Sequence, residues 1–472
     1  MKTILKYLKW LGLGLIILIS LALLLLATSI PYSRISERAI DRTGSISSNY
    51  VVTSVNIVDI ENDSILKLQN VYVTDGIIHS IEPDSLPIKP SFQSLRQFSG
   101  KYLMPGLVDM HAHVFDRTDL PQYLSYGITT VRNMMGFPMH LRWKNQLSND
   151  ELQGSRLITG SPTLNKGEGA GPFHKLLTDD LEARETANNY ADMGYDFFKV
   201  YDGIDAQQLT AIQQVARSRN MKIAGHPPAI GLEGLVASDL VSIEHVEELL
   251  QFLDEDFSPE SVGNLIAELH RSGKYVVISL SAYHRIYQTV LNGTAYYDRL
   301  DRSDVNPLLT FIGDKQLADY TSAGPKYTDY TKKKYQAMKD LTLKLQRGGV
   351  PLLFGTDVGP NLTAPGRTVL EEIELLQQAG LTNQEILLSA TATAGECLEM
   401  PIGKLQIGHL ADMIITSENP LDETTTLSEP LAIFQDNQQV VGEEIEALRR
   451  IGEDKQSFYA TLGLFLEAVM RK

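Results

Sequence analysis

The sequence predicts an α/β chain built on a (β/α)8 barrel of the TIM type. A small β-sandwich drawn from N- and C-terminal segments flanks it, and an N-terminal apolar helix precedes it. Three observations predict this. From about residue 107 to 400, eight short β-branched runs alternate with amphipathic stretches, the pattern of a parallel sheet whose strands are joined by helices. The segments on either side read as short strands separated by turn residues. The chain opens with lysines and then an uncharged apolar run of about twenty residues, enough to cross a bilayer at ~1.5 Å per residue.

Lys2, Lys6 and Lys9 precede the apolar run 11–30. Positive charge ahead of a span keeps the N-terminus cytoplasmic and sends the rest of the chain across. Ala27-Thr28-Ser29 carries the small residues of a cleavage site, so residues 1–34 read as a signal peptide or a membrane anchor. The run is longer than a usual signal core, which favours the anchor. Either way the chain is exported, to a periplasmic or other extracytoplasmic space, and an uncleaved segment ties it to the inner membrane through residues 11–30.

Residues 48–105 form the first part of the sandwich, with strands at 51–57, 71–74 and 77–81. Asp75-Gly76 between the last two is a strong hairpin turn signal. The barrel occupies 106–400, with strands from Leu107 onward and at 129–132, 156–159, 197–201, 222–225, 241–244, 275–280 and 351–354. Helices are expected at 179–193, 206–219 and 261–272. The stretch 281–349 is too long for one strand-to-helix connection and is rich in tyrosine; it reads as a lid or substrate wall at the barrel rim, or as a plain structural excursion. Residues 401–442, β-like at 403–415, complete the sandwich, and 443–472 read as a C-terminal helix.

A formal net charge of −16 leaves no basic surplus to neutralise phosphates, which argues against a nucleic-acid partner. The acidity serves solubility. The one cysteine, Cys397, excludes an intrachain disulfide and reads as a small buried residue.

The chemistry gathers around Met104-Pro105-Gly106-Leu107-Val108-Asp109-Met110-His111-Ala112-His113. Side chains two apart in a strand share a face, so His111 and His113 can converge on one ion while Val108, Met110 and Ala112 face a helix layer. Four further candidates stand at or just past expected strand ends: Lys199, His226, His245 and Asp357. Parallel barrel strands finish at one rim, so residues far apart in sequence converge there. Histidine and carboxylate ligands suit zinc or a similar divalent ion. An ammonium cannot ligate, but a neutral lysine can add carbon dioxide to give a carbamate, and an apolar neighbour such as Phe197 disfavours the ammonium form. The alternative for Lys199 is a buried stem with its head in solvent.

His111-x-His113 after Pro105-Gly106-Leu107-Val108-Asp109, with Lys199, His226, His245 and Asp357 in that order, resembles the amidohydrolase superfamily. The resemblance runs from about residue 50 to 415 and includes Gly408-x-x-Ala411-Asp412. Asp196-Phe197-Phe198-Lys199-Val200-Tyr201 and Ile243-Glu244-His245 look like the branch of imidazolonepropionase-like proteins and binuclear prolidase-type peptidases. The resemblance implies two divalent ions, taken as zinc. His111, His113 and Asp357 would hold one, His226 and His245 the other, and the carbamate of Lys199 would bridge them. It also implies metal-assisted hydrolysis by a metal-bridging hydroxide, with Asp357 moving the proton.

The expected substrate is a small molecule with an amide-type C–N bond, Xaa-Pro dipeptides ahead of N-acyl amino acids. His174, Tyr201, Tyr283, His284 and Arg285 are the candidate substrate residues, Arg285 for a carboxylate because its fork engages both oxygens. Alternatives are lactone, ester or cyclic amide hydrolysis and a mononuclear deaminase. The deaminases place a glutamate three residues after the β5 histidine, where this chain has Ala229. The non-enzymatic alternative is an anchored scaffold that has lost its catalysis. The sequence leaves the oligomeric state open.

Overall fold

The structure, a computed structural model, describes residues 2–37, 39–167, 170–171 and 173–471, with side chains from Trp10 onward. The side chains of Lys2, Lys6 and Lys9 and the terminal residues Met1 and Lys472 lie outside that description. Residues Lys2–Ile35 form one helix, whose apolar run contains no proline before Pro31, near the helix end. Its part Trp10–Ile35 is long and apolar enough to cross a membrane.

Five strands follow: β1 (Asn49–Asp59), β2 (Ser64–Thr74), β3 (Ile77–Pro83), β4 (Gln93–Leu95) and β5 (Tyr102–Pro105). Next come β6 (Leu107–Ala112), β7 (Ile128–Asn133), β8 (Arg156–Thr159), the two-residue β9 (Leu164–Asn165) and β10 (Lys175–Leu176), then β11 (Phe197–Val200), β12 (Lys222–Gly225), β13 (Leu240–Glu244), β14 (Tyr275–Ile278) and β15 (Leu352–Phe354). The chain ends with β16 (Met413–Thr416), β17 (Ala432–Gln435), β18 (Gln438–Val441) and two helices, Glu443–Glu453 and Phe458–Arg471.

The strands of both ends form one mixed sheet in the order β18-β17-β16-β5-β1-β2-β3, with β4 beside β1. The hairpin between β2 and β3 turns on Asp75 and Gly76, both with positive φ, as a two-residue loop of this twist requires. Where two packed sheets were expected there is a single continuous one. β1 pairs with β4 over Tyr50–Val52 and with β5 at Asn56 and Ile57, and the break falls at Ser54, whose φ is +53°. Side chains from the two halves, including Val52, Val71, Leu103, Met413 and Phe434, share one core. Only the end of the β-like stretch 403–415 is strand; before it, Leu410 makes a lone bridge to Ile77.

Eight parallel strands, β6, β7, β8 and β11 to β15, make the barrel. Two single bridges close it, Gly160 with Phe197 and Ala112 with Val358. Val108 and Met110 of β6 point outward onto Val277, Leu353, Ala394 and Cys397, as the two-residue period demands. His111 therefore points inward. The stretch 281–349 is helical: Ser281–Asn292, Thr294–Tyr297 and Pro307–Ala318 precede Pro325–Arg347, which leads into β15.

Candidate active site

The barrel rim gathers all six candidate ligands. His111 ends β6, Lys199 lies in β11, and His226, His245 and Asp357 stand on or just past the ends of β12, β13 and β15. All six line one cavity of about 440 Å³. His113 Nε2 lies 3.0 Å and His111 Nε2 3.5 Å from Asp357 Oδ1. The His245 ring sits 4.3 Å from His111 and 5.0 Å from His226 between ring centroids. His245 and Asp357 hold positive φ values of +68° and +51°, a strained backbone of the kind that clusters at reacting sites. Gly355 makes room for this convergence: a Cβ there would lie 2.8 Å from Cβ of His111.

Burial sets the charge states. It is the largest influence on His111 and His226 and, with neighbouring cationic groups, holds both imidazoles well below their usual range, so they are neutral and free to donate a lone pair. Burial likewise pushes the fully enclosed Lys199 ammonium down to about 8. It pushes Asp357 the other way, but His245, the hydrogen bond to His113 and the charge of Lys199 outweigh it and keep the carboxyl below its usual range.

His111, His113 and Asp357 place one donor atom each within 4.8 Å of one another, a group able to hold a cation. His113 Nδ1 is buried without a hydrogen-bond partner. Two imidazoles beside a carboxylate are a donor set that fits a divalent ion of the zinc type.

Sequence reasoning missed the support beneath these residues. Glu244 Oε2 meets His111 Nδ1 at 2.7 Å, and Arg132 donates to both Glu244 oxygens at 2.9 and 3.1 Å. Ser242 Oγ donates to the same carboxylate at 2.6 Å. Asp109 accepts from Thr356 Oγ1 at 2.6 Å and from the His111 and Thr356 backbone N–H groups, tying β6 to the segment after β15. Burial raises its carboxyl to about 7 despite these bonds. The available signal was charge inside a strand: Arg132 and Glu244 sit at inward positions of expected barrel strands, with the polar Ser242 beside them.

Of the substrate candidates, His174, Tyr201 and Tyr283 line the cavity. Tyr201 stacks on His226 with centroids 3.9 Å apart. The structure places the other two away from the cavity lining. Arg285 is buried and its Nη2 pairs with Glu371 at 2.6 Å, and His284 Nδ1 meets the Tyr335 hydroxyl at 2.8 Å. Neither lines the cavity, because the helix Ser281–Asn292 turns Tyr283 toward it and the next two residues away. Glu247, Glu248, Gln316 and Asn361 do line it and were not expected there.

Known proteins share this fold. Residues 102–442 match the model of the amidohydrolase family. The ochratoxinase of Aspergillus niger is 21% identical over 377 residues, which are 70% of this chain and 73% of that protein. Among solved structures, a bottromycin amidohydrolase superposes with a TM-score of 0.71 at 21% identity, covering 91% of this chain and 93% of the other. A Xaa-Pro dipeptidase with bound methionine superposes at 0.65 and 17% identity, covering 84% of this chain and 100% of the other. With the barrel, the ordered rim residues and the match over most of its length, this chain belongs to the amidohydrolase family and is a hydrolase of carbon–nitrogen bonds.

Proposed function

We propose that the chain is a metal-dependent hydrolase of a small amide, acting with two divalent ions, zinc in the first instance, at the barrel rim. The observation that carries this is the convergence of His111, His113 and Asp357 within 4.8 Å, with the enclosed Lys199 in the same cavity. His111, His113 and Asp357 would hold one ion and His226 and His245 the other, with Lys199, as a carbamate formed with carbon dioxide, as a ligand that both could share. The low position of the Lys199 ammonium supports that reading, because only the neutral amine adds carbon dioxide. When bound, the ions lower the pKa of water and polarise the scissile carbonyl.

The residues of the chain do the rest. Glu244 fixes the orientation of the His111 ring through Nδ1, leaving Nε2 toward Asp357. The Asp357 carboxylate, held ionised, takes a proton from the attacking water and passes it to the leaving nitrogen. Tyr201 and Tyr283 wall the cavity and orient the substrate.

A cavity of about 440 Å³ fits a dipeptide or an N-acyl amino acid. Relatives named as an ochratoxinase, a Xaa-Pro dipeptidase and a bottromycin amidohydrolase support an amide bond as the target. With Arg285 tied to Glu371, a substrate carboxylate has to be met by another group. The test is a hydrolysis screen of the full chain, loaded with zinc or manganese, over Xaa-Pro dipeptides, N-acyl amino acids and lactones. Turnover of an amide supports the reading, and turnover of lactones alone contradicts it.

We also infer that the first helix is an uncleaved anchor through residues 11–30 and that the barrel lies outside the cytoplasm. Lysines precede the span, and Ser29 and Ser33, at and beyond Ala27-Thr28-Ser29, are fully buried against the folded part of the chain. Cleavage there would strip a packed helical turn from it.

A further inference from the structure

The end of the first helix is built into the enzyme. It packs on the C-terminal helix Phe458–Arg471, and Gly463 brings the two backbones together: a Cβ there would lie 2.1 Å from the Ser29 carbonyl oxygen. The Tyr459 hydroxyl donates to the Leu25 carbonyl at 2.6 Å and lies 2.7 Å from Thr28 Oγ1. Further along, Arg34 pairs with Glu467. Tyr459, Gly463 and Glu467 thus meet Leu25, Ser29 and Arg34 in the same order, so the helices run parallel. Tyr459 lies at the depth of Leu25 to Thr28.

That depth is where the span leaves the bilayer. A hydrocarbon core of ~30 Å takes about twenty residues of helix, which, counted from Lys9, ends near Ser29. Beside the exposed leucines of the span, two exposed phenylalanines lie at this level. Phe458 is 42% and Phe311 62% exposed, and their rings meet edge to face at 6.0 Å. Tyr32 and Tyr459 lie beside them, ring to ring at 5.3 Å. Hydroxyls of this zone are satisfied inside the chain, Thr28 by the Leu24 carbonyl and Ser29 by that of Leu26, as apolar surroundings require. Aromatic rings are the residues a bilayer boundary favours.

The same elements reach the active site. Phe311 lies on the helix Pro307–Ala318, whose Gln316 lines the cavity. Phe465 of the C-terminal helix packs edge-on to Phe115 at 5.3 Å, and Phe115 stacks on His113 at 5.9 Å. We propose that Phe311 and Phe458 form a lip seated in the interfacial zone of the bilayer that holds the first helix, so that the active-site mouth opens beside the membrane surface. The occupant of this apolar face is lipid, because the face is continuous with the span itself. The proposal rests on the reading of the first helix as an uncleaved anchor.

The test uses the full chain in phosphatidylcholine nanodiscs, with the buried Cys397 replaced by Ala. Single cysteines at Leu18, Phe311, Phe458 and Ile407 each carry an environment-sensitive fluorophore, and nitroxide-labelled lipid is the quencher. Ile407, 64% exposed on a loop of the terminal sheet, is the water-facing control. The lip predicts strong quenching at Phe311→Cys and Phe458→Cys, several-fold above Ile407→Cys. If Leu18→Cys is quenched while the two phenylalanine positions match Ile407→Cys, the lip is overturned and the anchor stands. If Leu18→Cys is also unquenched, the anchor reading falls with it.

Discussion

Glu244 and His111, both buried and 133 residues apart in sequence, share a 2.7 Å hydrogen bond across the barrel interior. That bond occupies Nδ1 of His111 and leaves Nε2 facing Asp357. Partners of this kind fix the tautomer and aim of a metal-binding imidazole. Glu244→Gln keeps the shape but offers the ring an amide in place of a carboxylate. Metal affinity and kcat are expected to fall by about 10- to 100-fold with the fold retained. Metal titration followed by turnover checks this, and unchanged affinity would reduce Glu244 to a partner of Arg132 alone.

Lys199 is predicted to act through its neutral form. Lys199→Ala should abolish activity and lose much of the bound metal. In protein depleted of carbon dioxide, bicarbonate should restore both. Because burial places the ammonium at about 8, below the ordinary lysine value, the neutral fraction grows as pH rises through that value. At a fixed concentration of dissolved carbon dioxide, recovery should therefore be faster on the alkaline side. Recovery that is independent of pH under that condition would argue against a carbamate.

Arg285→Ala separates a structural role from a substrate role. Its guanidinium is paired with Glu371 away from the cavity, so KM should stay within about twofold of the parent. Stability should fall by about 1–3 kcal/mol, since a buried partner is removed from a charge pair. A large rise in KM with unchanged melting would restore Arg285 to the substrate site.

Gly463→Leu tests the joint between the first and last helices. The new side chain has to displace the Ser29 backbone, at a cost of about 1–3 kcal/mol. Thermal unfolding in detergent should show a lower Tm, and the loss should vanish in a chain lacking the first helix. An equal loss in both chains would mean that the clash lies elsewhere.

Much of the fold and the rim is legible in the residues alone because barrels repeat. All eight strands lie where the β-branched runs fall, and the six rim residues could be collected because parallel strands end on one side. Polar partners joined across the barrel are not legible in this way. Glu244 meets Arg132 from 112 residues away; a charge inside a strand marks each residue, but nothing local names its partner. The same blindness misplaced Arg285, whose partner Glu371 is 86 residues distant. β14 ends at Ile278, short of the expected Leu280, because Glu372 captures the Leu280 backbone N–H at 2.8 Å. The bend of β1 at Ser54, which merges two expected sheets into one, has no signature in a serine.

The central claim is that the rim residues form a metal-dependent hydrolytic site, and metal content measured beside turnover tests it most directly. The purified full chain should carry about two divalent ions, as two-ion hydrolytic sites do, with His113→Ala and Lys199→Ala retaining less and turning over little. Full-length protein that holds no metal, and gains no activity after zinc or manganese is added, would contradict the account.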